Sequence, residues 1–154
     1  MVKIIGHRGA SDDAPENTGS SIKEAFAQGA DGVEVDVRLT KDKKIICIHD
    51  KNTLRTTGLS LEVKKSDYRE LKNLDAGSWK GAVWRDESIP SLEEVLKEVP
   101  LNKEIFIEVK TGLEIIDPLI SLVLSSKITQ RNISIISLNE IMPARYDVQL
   151  TDCL

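Results

Sequence analysis

The sequence predicts an α/β fold built on a parallel sheet, and three observations predict this class. Short apolar runs alternate with segments of helical period along most of the chain. Residues 32–39 alternate valines with charged residues, which is the period of a strand. Leu92, Val95 and Leu96 recur at the spacing of one helix face. Strands separated by helices form βαβ units, whose strands run parallel and whose crossovers are right-handed.

The predicted elements follow one another in a simple order. Strands are expected over 3–6, 32–39, 44–48, 104–109 and 133–136. A first helix carries Ile22 and ends near Gly29, a second begins at a capping box of Ser91 and Glu94, and a third covers 119–124. Residues 50–90 lack this rhythm, with one short helix expected over 66–71, and so long a segment in a compact domain is usually functional.

Composition excludes several classes of function. The chain has 154 residues, 40% of them hydrophobic and 30% charged, which is typical of one soluble globular domain. A net charge of −4 with no basic run provides no electrostatic footprint for nucleic acid. We expect no membrane span and no signal peptide, because apolar runs are short and the start is strand-like. Only Cys47 and Cys153 are present, so a disulfide framework is excluded and a cytoplasmic location is expected.

Charged side chains occur on predicted strands where apolar ones are expected. Glu34 and Asp36 are two residues apart and point the same way, and Glu108 and Lys110 repeat this arrangement on the fourth strand. Three converging carboxylates need compensation, because burying unpaired charges costs several kcal/mol. Lys110 can neutralise one of them, and a hard divalent cation, Mg²⁺ or Ca²⁺, satisfies the others with oxygen ligands.

The chain has two histidines, His7 and His49, and both fall at the ends of predicted strands. Such a pair can supply a general acid and a general base, and Arg8 adds a planar cation suited to phosphate oxygens. Each feature alone has an ordinary structural alternative: a solvated edge strand, a satisfied polar histidine, an ion pair or a helix cap. Their shared position at the carboxyl ends of strands favours a phosphodiester-cleaving site over these alternatives.

These residues also carry a family resemblance. The sequence resembles the glycerophosphodiester phosphodiesterases in five motifs, which run in order over roughly positions 3–138: HRGAS with APENT at 7–18, GADGVEVDV with TKD at 29–42, HD at 49–50, IPSLEEVL at 89–96 and IEVK at 107–110.

The resemblance implies a TIM-type barrel that hydrolyses glycerophosphodiesters to an alcohol and glycerol 3-phosphate. Under it, residues 1–154 form a single phosphodiesterase-type domain, with the family's insertion over 51–88. The implied roles are a catalytic pair (His7 and His49), a divalent-cation site (Glu34, Asp36 and Glu108), and phosphate or carboxylate contacts (Arg8 and Lys110). Glu16 and Asn17 are implied to have supporting roles.

The chain departs from the family pattern in its strand count. A TIM barrel needs eight strands and ~250 residues, whereas about five strands are predicted here, so an incomplete barrel is expected. Two alternatives stay open. The first is an inactive relative, shortened at its carboxyl end and with an irregular tail from Pro143, that acts as an interaction module and self-associates through open sheet edges. The second is an enzyme acting on phospholipids or lysophospholipids, although the absence of an amphipathic or basic membrane-binding stretch favours a small, water-soluble substrate.

Overall fold

The computed structural model describes residues 2–137, so Pro143 and Cys153 lie outside the described part of the chain. The strands are β1 Ile5–His7, β2 Gly32–Leu39, β3 Ile45–Cys47, β4 Glu104–Val109 and β5 Ile133–Ile136. The helices are α1 Gly19–Ala27, α2 Leu54–Thr57, α3 Tyr68–Lys72, α4 Leu92–Glu98 and α5 Ile116–Ser125. The predicted α/β class and the sheet of about five strands are confirmed.

The sheet is parallel along its main path, in the order β1-β2-β4-β5. The expectation that the third strand is also parallel is wrong, because β3 pairs antiparallel with the end of β2. Only residues 40–44 join these two strands. A parallel crossover needs a dozen or more residues, so a connection this short can form only a hairpin. The hairpin turns at Lys43, which has a φ of 63°, and the Thr40 amide donates to the Lys44 carbonyl.

The hairpin decides which strands are neighbours. Val37 pairs with Cys47 of β3 on one side and with Val109 of β4 on the other. Strand β1 pairs with one edge of β2 and β4 with the other edge. Since β3 also lies on the edge away from β4, β1 and β3 share the same side of β2. Strand β4 is therefore the next parallel strand after β2, and β3 is not part of the parallel series.

The main core lies between the sheet and the helices. Val33, Val35 and Val37 are fully buried on one face of β2, and residues from β4, α1, α4 and α5 pack in the same cluster. Helix α1 is capped by the Thr18 side chain, and α4 by the predicted capping box at Ser91. The apolar face of the sheet is thus covered, and the opposite face carries the charged residues.

The segment between β3 and α4 forms a small layer of its own. It contains α2, α3 and two short 3₁₀ turns, Val63–Lys65 and Ala82–Trp84. A second cluster of buried residues, which includes Ile46, Val63 and Leu71, holds this layer against the hairpin. The predicted short helix corresponds to α3. Among the described residues, no helix has the length and apolar content needed to cross a bilayer.

Candidate active site

Three buried carboxylates form the centre of the polar face. Glu34 and Asp36 alternate with the buried valines of β2, so both point away from the helices. Asp36 pairs in register with Glu108 of β4, which places the third carboxylate beside the first two. One oxygen from each of the three lies within 4.8 Å of the others, and the three residues are 0–7% exposed. The three carboxylates therefore converge, as the sequence predicts.

Two cations flank the carboxylates. Lys110 Nζ contacts the Glu108 carboxylate and lies 3.2 Å from Asp36 Oδ1. Arg8 Nε lies 2.9 Å from Asp36 Oδ2, and the Arg8 backbone N–H donates to Glu34 Oε2 over 3.0 Å. Arg8 has a φ of 55°, an unusual backbone conformation for a residue other than glycine. The cations therefore balance two of the three negative charges.

The remaining charge falls on Glu34. Its Oε1 is buried without a hydrogen-bond partner in residues 2–137, and Asp36 Oδ1 also accepts no well-aligned hydrogen bond despite the nearby lysine. Burial raises the pKa of Glu34 to about 7, and the neighbouring Asp36 and Glu108 charges add to this effect, although the Arg8 amide opposes it. Orphaned carboxylate oxygens facing one point are the donor set that a hard divalent cation takes. The residues present therefore fit such an ion.

Asn17 supports the cluster from the loop before α1. Its side-chain amide donates to Asp36 Oδ2 over 3.0 Å, and its side-chain carbonyl accepts from the Asp36 backbone N–H over 3.0 Å. Asn17 is 2% exposed and has a φ of 59°, a conformation that asparagine tolerates better than most residues. Thr18, the next residue, is the N-cap of α1. Asn17 thus holds Asp36 from a position directly before the start of α1.

The two histidines follow strands that run in opposite directions along the same side of β2. His7 ends β1 in register with Glu34, and its Nε2 lies 3.8 Å from Glu34 Oε2. His49 follows β3, whose chain runs back along β2 so that the Ile48 N–H donates to the Asp36 carbonyl. The expectation that His49 ends a parallel strand is wrong, since the antiparallel hairpin returns it to this level. Because β1 and β3 share one side of β2, both histidines lie on that side.

A network of hydrogen bonds at the edge of the cluster connects His49 to Arg8. Asp50 Oδ1 lies 2.8 Å from His49 Nδ1, and Arg55 Nε donates to Asp50 Oδ2 over 2.7 Å. Both terminal nitrogens of Arg55 donate to Glu16, at 2.7 and 2.8 Å, and Glu16 also accepts from Arg8 over 3.1 Å. Burial alone would raise the pKa of Glu16, but the two arginines lower it below its usual value. The network therefore keeps Glu16 ionised and holds the side chains of His49 and Arg8 in place.

Sequence reasoning missed Arg55. The residue lies in α2, a four-residue helix within the segment that showed no periodicity. No pattern in the sequence marks the residue, because its contact with Glu16 joins segments that are 39 residues apart. Cys47, the cysteine within the described residues, is buried, and burial raises the pKa of its thiol. It packs against the core and takes no part in the site.

The fold and the site together define a class: a TIM-barrel-type α/β protein with a carboxylate cluster and two histidines beside it. The glycerophosphoryl diester phosphodiesterase family model matches residues 7–141, and the chain belongs to that family. A glycerophosphodiester phosphodiesterase of Caldanaerobacter subterraneus subsp. tengcongensis is 43% identical over 112 residues, which cover 71% of this chain and 46% of the relative.

Solved structures agree with this assignment. A glycerophosphodiester phosphodiesterase from Agrobacterium tumefaciens str. C58 matches with a TM-score of 0.84 and 33% identity, over 91% of this chain and 59% of that one. A phosphodiesterase from Oleispira antarctica, in complex with the product sn-glycerol-3-phosphate, matches with a TM-score of 0.85 and 33% identity, over 92% and 59%. The chain spans about half the length of the curated relatives that it matches.

Proposed function

We propose that the protein hydrolyses glycerophosphodiesters to an alcohol and glycerol 3-phosphate, and that the reaction depends on a divalent cation. The observation that carries the proposal is the carboxylate cluster with an unpartnered Glu34 oxygen, next to two histidines and two cations. Family membership supports the substrate class, and the Oleispira neighbour binds the corresponding product. As part of this proposal, residues 1–154 act as one domain, with the insertion over 51–88 bordering the substrate.

Glu34, Asp36 and Glu108 would hold the cation, Mg²⁺ or Ca²⁺. When bound, such an ion supplies Lewis-acid withdrawal of charge from a phosphate oxygen. Arg8 presents a guanidinium half-enclosed by the site, and Lys110 an ammonium group, each close to the carboxylates. Both are suited to bind a phosphate oxygen and to hold the carboxylates in place.

His7 and His49 would divide the proton transfers between them. One imidazole takes a proton from the attacking water or from a neighbouring substrate hydroxyl, and the other gives a proton to the departing alkoxide. His49 Nδ1 is already engaged by Asp50, which leaves its Nε2 available to the substrate. His7 is largely exposed and lies 3.8 Å from Glu34, so it is also accessible to the substrate. Either histidine can be the base.

The test is release of glycerol 3-phosphate from glycerophosphocholine, with and without chelator. We expect chelator to abolish release and added Mg²⁺ or Ca²⁺ to restore it. His7→Ala and His49→Ala should each lower kcat by about 10²- to 10⁴-fold while circular dichroism is unchanged. Lys127→Ala, at an exposed residue remote from the site, is the control and should keep full activity. Release that ignores chelator, or that survives both histidine variants, contradicts the mechanism.

A second candidate is a relative without activity that acts through its sheet edges. Strands β1 and β5 are the outer strands of the sheet formed by residues 2–137, and every residue of β5 is half-exposed. An outer strand of this kind can pair with another copy of the chain. Light scattering after size exclusion measures the mass, and a folded oligomer that binds no metal favours this candidate. A monomer with turnover rejects it, and a cytoplasmic location is predicted under either candidate.

A further inference from the structure

A basic cavity lies beside the carboxylate cluster, and apart from Lys110 none of its lining residues has a role in the chemistry above. Its volume is about 320 Å³, and it lies between the β2–β3 hairpin, the 3₁₀ turn Val63–Lys65 and the loop after β4. Six of its lining residues are lysine or arginine and two are glutamate. Lys110, which contacts the catalytic carboxylates, also lines this cavity, so the two sites adjoin.

Arg38 is a half-buried cation of the cavity. It follows Glu34 and Asp36 on the same face of β2, so it continues the row of charged groups by one more step of roughly 6–7 Å. Its Nε donates to the His49 carbonyl and its Nη1 to the Lys110 carbonyl. A guanidinium has five N–H donors, and the other donors have no partner within residues 2–137. Arg38 is half-buried, and although the charges of Asp36 and Asp50 act on it, it forms no direct ion pair in this part of the chain, so a bound anion would be its first direct charged partner.

Other lining groups are also available to a ligand. Lys43 and Lys51 have no carboxylate partner among the described residues, whereas two further lysines of the cavity are neutralised by neighbouring carboxylates. The Thr111 hydroxyl oxygen is buried and makes no hydrogen bond. Glu114 is the opposing unpaired charge, and it is exposed. Three unpaired cations and an unused hydroxyl therefore outweigh one exposed carboxylate.

We propose that this cavity is a second anion subsite, which binds a carboxylate or phosphate carried by the alcohol half of the substrate. The inference rests on the proposed function, since the scissile phosphate has to lie at the carboxylate cluster for a second anion to reach Arg38. Binding then pairs the Arg38 guanidinium and leaves the catalytic contacts unchanged. The enzyme consequently prefers glycerophosphodiesters with an anionic head group over those without one.

Two substrates isolate this preference. Glycerophosphoserine differs from glycerophosphoethanolamine by one carboxylate, so the ratio of their kcat/KM values measures what the cavity contributes. We expect a ratio above one in the unmodified protein. Lys51→Gln should reduce that ratio about threefold to fivefold, which is the upper part of the range for one exposed charge pair, and should leave glycerophosphoethanolamine turnover unchanged.

The matched control removes the same charge elsewhere. Lys127 is exposed, has no ion-pair partner in the described residues and does not line the cavity. Lys127→Gln should therefore leave the ratio unchanged. A Lys51→Gln variant with the unmodified ratio, or one that slows both substrates equally, would overturn the subsite.

A binding measurement separates this proposal from the proposed function. Calorimetry with inorganic phosphate, at low ionic strength and in chelator, requires no turnover. We expect Lys51→Gln to weaken phosphate binding by a similar factor and Lys127→Gln to leave it unchanged. If glycerophosphoethanolamine is not hydrolysed, the proposed function fails while phosphate binding still tests the cavity. Equal phosphate binding by both variants overturns the anion site, and phosphate binding without a serine preference overturns its assignment to the head group.

Discussion

Replacing Glu34 by glutamine should stabilise the metal-free protein, although it removes a residue that we assign to the metal site. Burial raises the pKa of Glu34 from its ordinary 4.5 to about 7. Each pKa unit corresponds to 1.36 kcal/mol, so the ionised form lowers the free energy of unfolding by about 3 kcal/mol. Glutamine resembles the protonated acid in shape and carries no charge, so Glu34→Gln removes this cost.

The effect depends on pH in a defined direction. Below pH 4.5 the glutamate is protonated in both the folded and the unfolded protein, so its ionisation costs nothing. Between pH 4.5 and about 7 the unfolded protein releases this proton while the folded protein keeps it, so stability falls across that window and levels off above pH 7, where both forms are ionised. We therefore expect Glu34→Gln to exceed the unmodified protein by up to about 3 kcal/mol at pH 8, and the difference to vanish near pH 4.5.

The assay is urea unfolding in chelator at several pH values, repeated with Mg²⁺. The metal should stabilise the unmodified protein and stabilise Glu34→Gln less, since a ligand has been removed. Glu98→Gln, at an exposed position, is the control and should change the free energy of unfolding by less than about 1 kcal/mol at any pH. A Glu34→Gln variant that is less stable than the unmodified protein at pH 8 in chelator, or equally stabilised at all pH values, refutes the reasoning.

Two further predictions concern the hydrogen-bond network around Arg55 and the segment between β3 and α4. Arg55→Gln should lower kcat about 10- to 100-fold with little change in KM, because it releases Asp50, which holds His49. Arg55→Lys should recover only part of the activity, since a lysine lacks the bidentate geometry of a guanidinium. Steady-state kinetics measure both variants, and full activity in Arg55→Gln would contradict the role. Gly77→Ala should destabilise the protein by more than about 1 kcal/mol, because the added methyl group overlaps the Trp84 carbonyl, whereas Gly19→Ala meets no atom within 4 Å and should be neutral or stabilising. Urea unfolding compares the two, and equal effects would contradict the packing argument.

Much of the fold could be predicted from local pattern. Strand β4 has the predicted bounds, Glu104–Val109, and the capping box at Ser91 starts α4 as expected. The start of α5 was less well predicted, because the expected helix over 119–124 begins earlier, at Ile116, directly after a 3₁₀ turn. Caps and periodicity are properties of a few adjacent residues, so the sequence contains them directly.

The candidate site was predictable in part for the same reason. Alternation on β2 placed Glu34 and Asp36 on one face, and the structure brings Glu108 to them. Two contributions were not predictable. Arg55 joins Glu16 across 39 residues, and Arg38 donates to the backbone of Lys110 across 72. Such contacts depend on how the chain folds back on itself, and no local pattern encodes them.

The sequence by itself determined which side chains alternate on each strand, where the helices begin, and that carboxylates, histidines and cations occur at strand ends. Tertiary structure decided which strands are neighbours. The five-residue connection folds β3 back as a hairpin, β4 becomes the partner of β2, and His49 returns to the level of Asp36. The physical reason is that side-chain direction follows from backbone geometry within one strand, whereas strand pairing is a contact between distant segments that only the packed chain selects.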